Sequence, residues 1–153
     1  MEEKLISKCG IYCGAFYIYR AFKDGGRMLD ETAQRLGVPK EAIECGGCFG
    51  PVEDLWRNCR VCSIRACLKE KSFDFCYECP DFDDSSCAGY ERLHEGCKRR
   101  GEDARGALLR IKAGDADNWL KEQDAKWRCA NCGSRVWWEQ KTCLQCDQPI
   151  SRH

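Results

Sequence analysis

The chain has 153 residues, 15 of them cysteine, and a third of its residues are charged. No run approaches the roughly 20 apolar residues of a membrane span, so no membrane-spanning helix is expected. The 25 basic and 25 acidic residues cancel, which leaves no cationic footprint of a general nucleic-acid binder.

The apolar residues come in short bursts broken by cysteine, glycine and charge. Units of this kind are too small to be held by burial alone and need staples, either disulfides or metals. The opening MEEKLISKCG has no apolar stretch long enough for a signal peptide, so a reducing cytoplasm is expected, where disulfides are rare. The odd cysteine count also argues against a closed disulfide set. Most cysteines fall in C-x2-C pairs, in which a tight turn lets both sulfurs face one ion at about 2.3 Å.

In chain order, Cys9 and Cys13 precede an aromatic stretch, and Ala15–Phe22 is expected to be helical. The C-x3-C spacing just before a helix makes Cys13 a candidate ligand, with its pKa lowered by the helix dipole; a buried apolar thiol and a reactive thiol are the alternatives. Gly25-Gly26 predicts a break, Asp30–Leu36 a helix closed by Gly37. Pro39 suits the first turn of a short helix through Ile43. Cys45-x2-Cys48 and Cys59-x2-Cys62 follow, ten residues apart, and then Cys67, Cys76-x2-Cys79 and Cys87. Taken sequentially they give two four-cysteine sites; interleaved pairing between neighbouring ions is equally compatible with the spacing. Arg60, Arg65 and Lys69 lie among these thiols, where cations offset anionic clusters. Ser63–Lys69, Tyr90–Arg100 and Glu102–Lys112 read as helices. His94 reads as a solvated residue on a charged helix, and His153 is terminal. Asp115 or Asp117 is expected to cap a last helix through Lys126, with Trp119, Leu120 and Trp127 on its packed side.

The chain closes on Cys129-x2-Cys132 and Cys143-x2-Cys146, again ten residues apart. Gly133 follows the first pair, where a knuckle turn needs positive φ. The β-prone stretch Arg135–Glu139 predicts a short hairpin between the knuckles, the arrangement of a zinc ribbon. Four thiolates suit tetrahedral zinc and leave no open position. Trp137 and Trp138, adjacent on a strand, would point to opposite faces; one covers the ribbon, while the other packs on the last helix or offers a stacking surface.

The predicted fold is therefore a small metal-stapled α+β protein. It divides into a cysteine-rich zinc-knuckle module with short helices (1–90), a helical linker (91–126) and the ribbon (127–153). About three zinc ions are expected, bringing the net charge to about −6. Cys97 is left without an assigned role.

The segments CGIYCGAFYIY, CGGC, CRVCSIRACLKEK and FCYECPDF resemble the cysteine-rich prokaryotic family called domain of unknown function 3795. DNWLKEQDAKWRCANCG resembles the linker and ribbon that many members carry. The resemblance implies metal binding and no established activity. Members typically open with C-x3-C-x2-C and proline; here Phe16 and Tyr17 stand at the last two positions. An acidic insertion, Asp81–Ser86, separates Cys79 from Cys87.

The expected function is a structural zinc protein, a scaffold that docks on another protein. The alternatives are an iron–sulfur electron carrier or redox sensor using the N-terminal cysteines and a ribbon that stacks nucleic acid on a tryptophan. No Ser/His/Asp set or phosphate loop assembles, so a non-enzymatic role is expected; an enzyme acting through Cys13 is the remaining reading.

Overall fold

The computed structural model describes residues 5–151; His153 lies outside them. Among the described residues, eight α-helices and a few 3-10 turns make up the regular structure. Among the described residues there is no sheet, only three isolated antiparallel bridges: Ile6 with Tyr12, Arg128 with Arg135, and Thr142 with Pro149. The expected α+β class is thus corrected to a mostly helical one. Among the described residues, no helix is long and apolar enough to cross a membrane.

The chain opens with a tight loop. Ser7 and Ile11 close it (N–H to carbonyl, 3.1 Å), and Gly10 turns at its tip with φ +87°. That φ favours glycine. A Cβ on Gly10 would also run into the carbonyl of Ala104 and the Leu108 side chain. Gly10→Ala is therefore expected to lower stability by about 2–4 kcal/mol, read as a lowered urea midpoint.

Helices α1 (Tyr17–Asp24) and α2 (Gly26–Leu36) follow and pack together. The second helix starts four residues before the expected Asp30, directly at the glycine pair. Gly25 at φ +64° and Gly26 at φ +50° together break the chain between α1 and α2, as expected, with Gly26 already the first residue of α2. Gly37 closes α2 in the left-handed region, as expected, with Val38 N–H returning to the Ala33 carbonyl. After Pro39 the chain makes one 3-10 turn, Lys40–Ala42, in place of the expected short helix.

The cysteine-rich stretch carries α3 (Arg57–Arg60), α4 (Ser63–Lys71) and α5 (Pro80–Asp83). Then come α6 (Ala88–Lys98), α7 (Ala104–Lys112) and α8 (Ala116–Lys126). Asp103 caps α7 by accepting from the Gly106 N–H at 2.8 Å. Asp115 begins α8 but spends its carboxylate on Arg110 of α7 (2.7 Å), which also reaches Glu122 (3.0 Å); this clamp sets the two helices against each other.

Two apolar cores result. The larger draws Tyr12, Ile18 and Met28 together with Trp56, Trp119, Trp127, Val136 and Trp138, so the N-terminal helices and the last cysteine unit share one interior. The smaller gathers Leu68, Phe82, Tyr90 and Leu108 around Cys9 and Cys76. His94 belongs beside this second core. It is buried and stacks on Tyr90 with rings 6.4 Å apart, which corrects its reading as a solvated residue. The helical spacing of Tyr90 and His94 places both on the inward face of α6.

Cys97, on the same helix, is 3% exposed, and burial pushes its thiol above the usual range. Thiolate, the nucleophilic form, is correspondingly scarce. In the folded protein at pH 8, iodoacetamide is expected to alkylate Cys97 far more slowly than a free thiol; peptide mapping after labelling reads this directly.

Candidate metal centre

The last cysteine unit is built from one motif used twice. Cys129 N–H donates to the Ser134 carbonyl (2.8 Å), and Gly133 N–H returns to the Cys129 carbonyl (2.9 Å). Fourteen positions on, Cys143 N–H donates to the Gln148 carbonyl (2.9 Å) and Asp147 N–H returns to the Cys143 carbonyl (2.9 Å). Residues flanking each turn pair in the same register: Val136 with Trp127 at 3.0 Å and Ile150 with Lys141 at 2.8 Å. Both turns need a left-handed residue directly after the second cysteine. Gly133 supplies it at φ +72°, and Asp147 adopts it at φ +55°.

Each knuckle therefore closes its own small hairpin, and none joins the two. Arg135 and Val136 pair backwards onto the residues before Cys129. The next stretch leaves the unit: Trp138 N–H donates to the Ala15 carbonyl at 3.0 Å, and Glu139 turns at φ +62°. The hairpin expected between the knuckles is corrected accordingly.

The two knuckles face each other. Cys129 Sγ lies 3.7 Å from Cys146 Sγ, and Cys132 Sγ 3.6 Å from Cys143 Sγ. Four sulfurs at about 2.3 Å from one tetrahedral ion would stand about 3.8 Å apart. All four donor atoms fall within 4.8 Å of one another, so this group can hold a metal ion.

The electrostatics of the unit favour thiolate at two of the four cysteines and oppose it at a third. Burial works against ionisation of Cys143, but the Ser134 hydroxyl and the N–H groups of Gln145 and Cys146 stabilise its thiolate and bring its pKa down to about 6. Ser134 Oγ lies 3.1 Å from both Cys132 and Cys143, and it lowers Cys132 as well. Cys146 accepts from Asn131 and the Gln148 N–H, yet burial and the adjoining Cys132 and Cys143 push it up to about 11. Successive thiolates repel, so protons are retained until a cation replaces them. With Cys143 already ionised at pH 7, metal binding to this unit is expected to release fewer than four protons per ion, a quantity given by calorimetry in buffers of different ionisation enthalpy.

The unit is docked on the rest of the chain. Trp138 is buried, with its ring 5.8 Å from that of Phe16 and Arg100 across its face. Trp137 is half-buried against the same core. Arg27 of α2 donates to the Leu144 carbonyl and to Asp147, both at 3.2 Å. Asp124 of α8 holds Arg128 (2.7 Å) and Arg135 (3.4 Å).

Among the described residues, this is the one group of three or more cysteine, histidine or acidic ligands gathered within 4.8 Å. The other predicted ligands form two looser neighbourhoods that adjoin at Cys9, which shares a core with Cys76 and, after burial, leads the thiols that raise its pKa. In the first, the Cys45 sulfur accepts from the N–H groups of Gly47 and Trp56, and Cys48 from that of Lys8. Cys13 is raised well above the usual range by burial, then by the nearby Cys48, Cys45 and Cys9. Cys59 is pushed up to about 11 by burial and by Cys45, Cys48 and Cys62. Cys9, hydrogen-bonded to Ser7 Oγ at 3.3 Å, is pushed up to about 12 by burial. The expected dipole-lowered thiol at Cys13 is thus corrected: Phe16, not Cys13, precedes α1, and burial dominates. In the second neighbourhood, Cys67, Cys76, Cys79 and Cys87 line one cavity.

Of the predicted cations, Arg65 does lie where its charge favours the Cys48 and Cys59 thiolates, while the hydrogen bonds of Arg60 and Arg65 go to carbonyls. Arg60 donates to the Leu55 and Glu53 carbonyls (2.7 and 2.8 Å), and Arg65 reaches the Cys59 and Gly50 carbonyls. A direct bond to a thiol comes from Lys71, whose Nζ lies 3.2 Å from Cys79 Sγ. The sequence carries no spacing signal for it, because α4 extends two residues past the expected end. Ser134 was likewise unmarked in the sequence, although its place two residues after Cys132 is where a side chain can bond back to the knuckle.

The model of one known family, described as a protein of unknown function (DUF3795), matches residues 5–92. No curated protein and no solved structure matches the chain.

Proposed function

The chain belongs to the DUF3795 family, and from that premise we propose that it is a structural zinc protein, a metal-stapled scaffold that docks on another protein. The observation that carries this reading is the closed set of Cys129, Cys132, Cys143 and Cys146. Four thiolates suit zinc, and a filled tetrahedral shell leaves no position for water or substrate, so the ion holds structure and performs no chemistry. The N-terminal thiols around Cys45, Cys48, Cys59 and Cys62, with Cys9 and Cys13 beside them, are assigned to metal as well. The buried thiols there repel one another's ionisation, which is the situation a bound cation relieves. Such thiolate centres suit a reducing compartment such as the cytoplasm.

The docking role draws support from apolar side chains left in solvent. Phe22 and Phe49 border one hollow, and Val61 is 83% exposed. The burial of Trp138 against Phe16 weighs against a base-stacking role for the C-terminal unit.

Elemental analysis of the protein and of Cys132→Ser tests the zinc assignment. Zinc is expected in the wild type, with one equivalent fewer in the variant. Wild-type protein purified without chelator and free of zinc would overturn it.

A further inference from the structure

Cys67, Cys76, Cys79 and Cys87 converge on a cavity of about 290 Å3 between α4 and α6. Their convergence is built by the chain path. Cys67 projects from α4, and the 3-10 turn Cys76–Glu78 presents Cys76 and leads into Cys79. Cys87 is carried back by the acidic insertion: α5 turns the chain, and Cys87 N–H donates to the Asp81 carbonyl at 3.2 Å. The insertion thus returns the last cysteine to the cavity that the other three border.

The walls are otherwise apolar, formed by the buried Leu68, Phe82 and Tyr90. Two cations interrupt them. Lys71 lies 3.2 Å from Cys79 Sγ and also binds Asp81, and Arg92 stands at the rim. Four sulfurs, a largely apolar wall and two cations describe a site for an anionic thiolate complex.

Its size separates it from the C-terminal unit. One tetrahedral ion requires sulfurs about 3.8 Å apart. Here no three of the sulfurs fall within 4.8 Å of one another, whereas the C-terminal four do. A polynuclear core, with bridging sulfides and a separate iron for the outer thiolates, spreads its cysteines to roughly 6 Å and fills volume.

We propose that Cys67, Cys76, Cys79 and Cys87 hold an iron–sulfur cluster in this cavity. Each thiol releases its proton as its sulfur bonds iron, and Lys71 and Arg92 offset the negative charge of the complex. The inference shares with the zinc reading only the premise of thiolate ligation; it does not depend on zinc at the C-terminal unit.

The test is anaerobic purification of the full chain, with iron and acid-labile sulfide measured, a visible spectrum recorded and native mass determined. A brown protein with iron and sulfide in equal amounts is expected. Cys76→Ser and Cys87→Ser are expected to abolish the colour, and Cys132→Ser to keep it while losing zinc. Cys67 is exposed, so Cys67→Ser leaves the packing intact; a retained fold by circular dichroism with lost or shifted visible bands supports the assignment. A colourless protein whose native mass carries only zinc overturns it. So does colour that survives both Cys76→Ser and Cys87→Ser, which would put the cluster on other cysteines.

Discussion

Cys143→Ser is expected to remove one metal ion and to lower the melting temperature by at least about 10 °C. The sulfur it deletes is 1% exposed, lies 3.6 Å from Cys132, and accepts from Ser134 and two backbone N–H groups. A structural zinc site contributes about 10–16 kcal/mol of binding free energy in small peptides, all of it available to folding. In a chain of this size each kcal/mol lost shifts the melting point by about 2–4 °C. The damage would not stay local, because Cys143, Val136 and Trp138 are members of the larger core. Metal content and thermal unfolding followed by near-ultraviolet circular dichroism read both effects. Full metal content with an unchanged melting point would remove this site from the account.

Trp138→Ala is expected to cost about 3–5 kcal/mol, the usual range for deleting a large buried aromatic. The ring fills the seam between the C-terminal unit and Phe16, under Arg100. The backbone bond from residue 138 to the Ala15 carbonyl survives the change, so the loss reports packing alone. Trp138 supplies none of the four sulfurs of the metal site. The variant is therefore expected to retain its C-terminal ion while its denaturant midpoint falls. An ion lost together with the stability would mean that docking and metal binding are a single event.

These two positions also mark what could be read from the sequence. The C-terminal site was legible because C-x2-C is a local constraint: a knuckle is set by a few consecutive residues and a left-handed turn. Gly133 announced one such turn, whereas Asp147 gave no sign of the other. The helices from Ser63 onward were legible from caps and glycines for the same local reason, except α5, which lies in the acidic insertion read as irregular. The hairpin was misjudged because Val136, Trp137 and Trp138 have strand propensity, and propensity yields to tertiary partners. Val136 pairs back on Trp127, and Trp138 leaves to bond Ala15, more than a hundred residues away. His94 was misplaced because its neighbours in sequence are charged, while Tyr90, one turn earlier, carries the face inward. The gathering of Cys67, Cys76, Cys79 and Cys87 depends on where α5 folds the acidic insertion, which spacing does not encode.

The same reasoning explains why a chain with so little regular pairing can be ordered. Its loops are fixed where sulfur, hydroxyl and N–H groups converge, at Cys9 with Ser7 and at Cys132 and Cys143 with Ser134. Cations bound at such points would hold several turns at once, which a small apolar core cannot do.

The most direct test is X-ray absorption at the zinc edge of the protein as purified. The account predicts bound zinc with a first shell of four sulfurs at about 2.3 Å. A first shell dominated by nitrogen or oxygen, or no zinc edge at all, would contradict it.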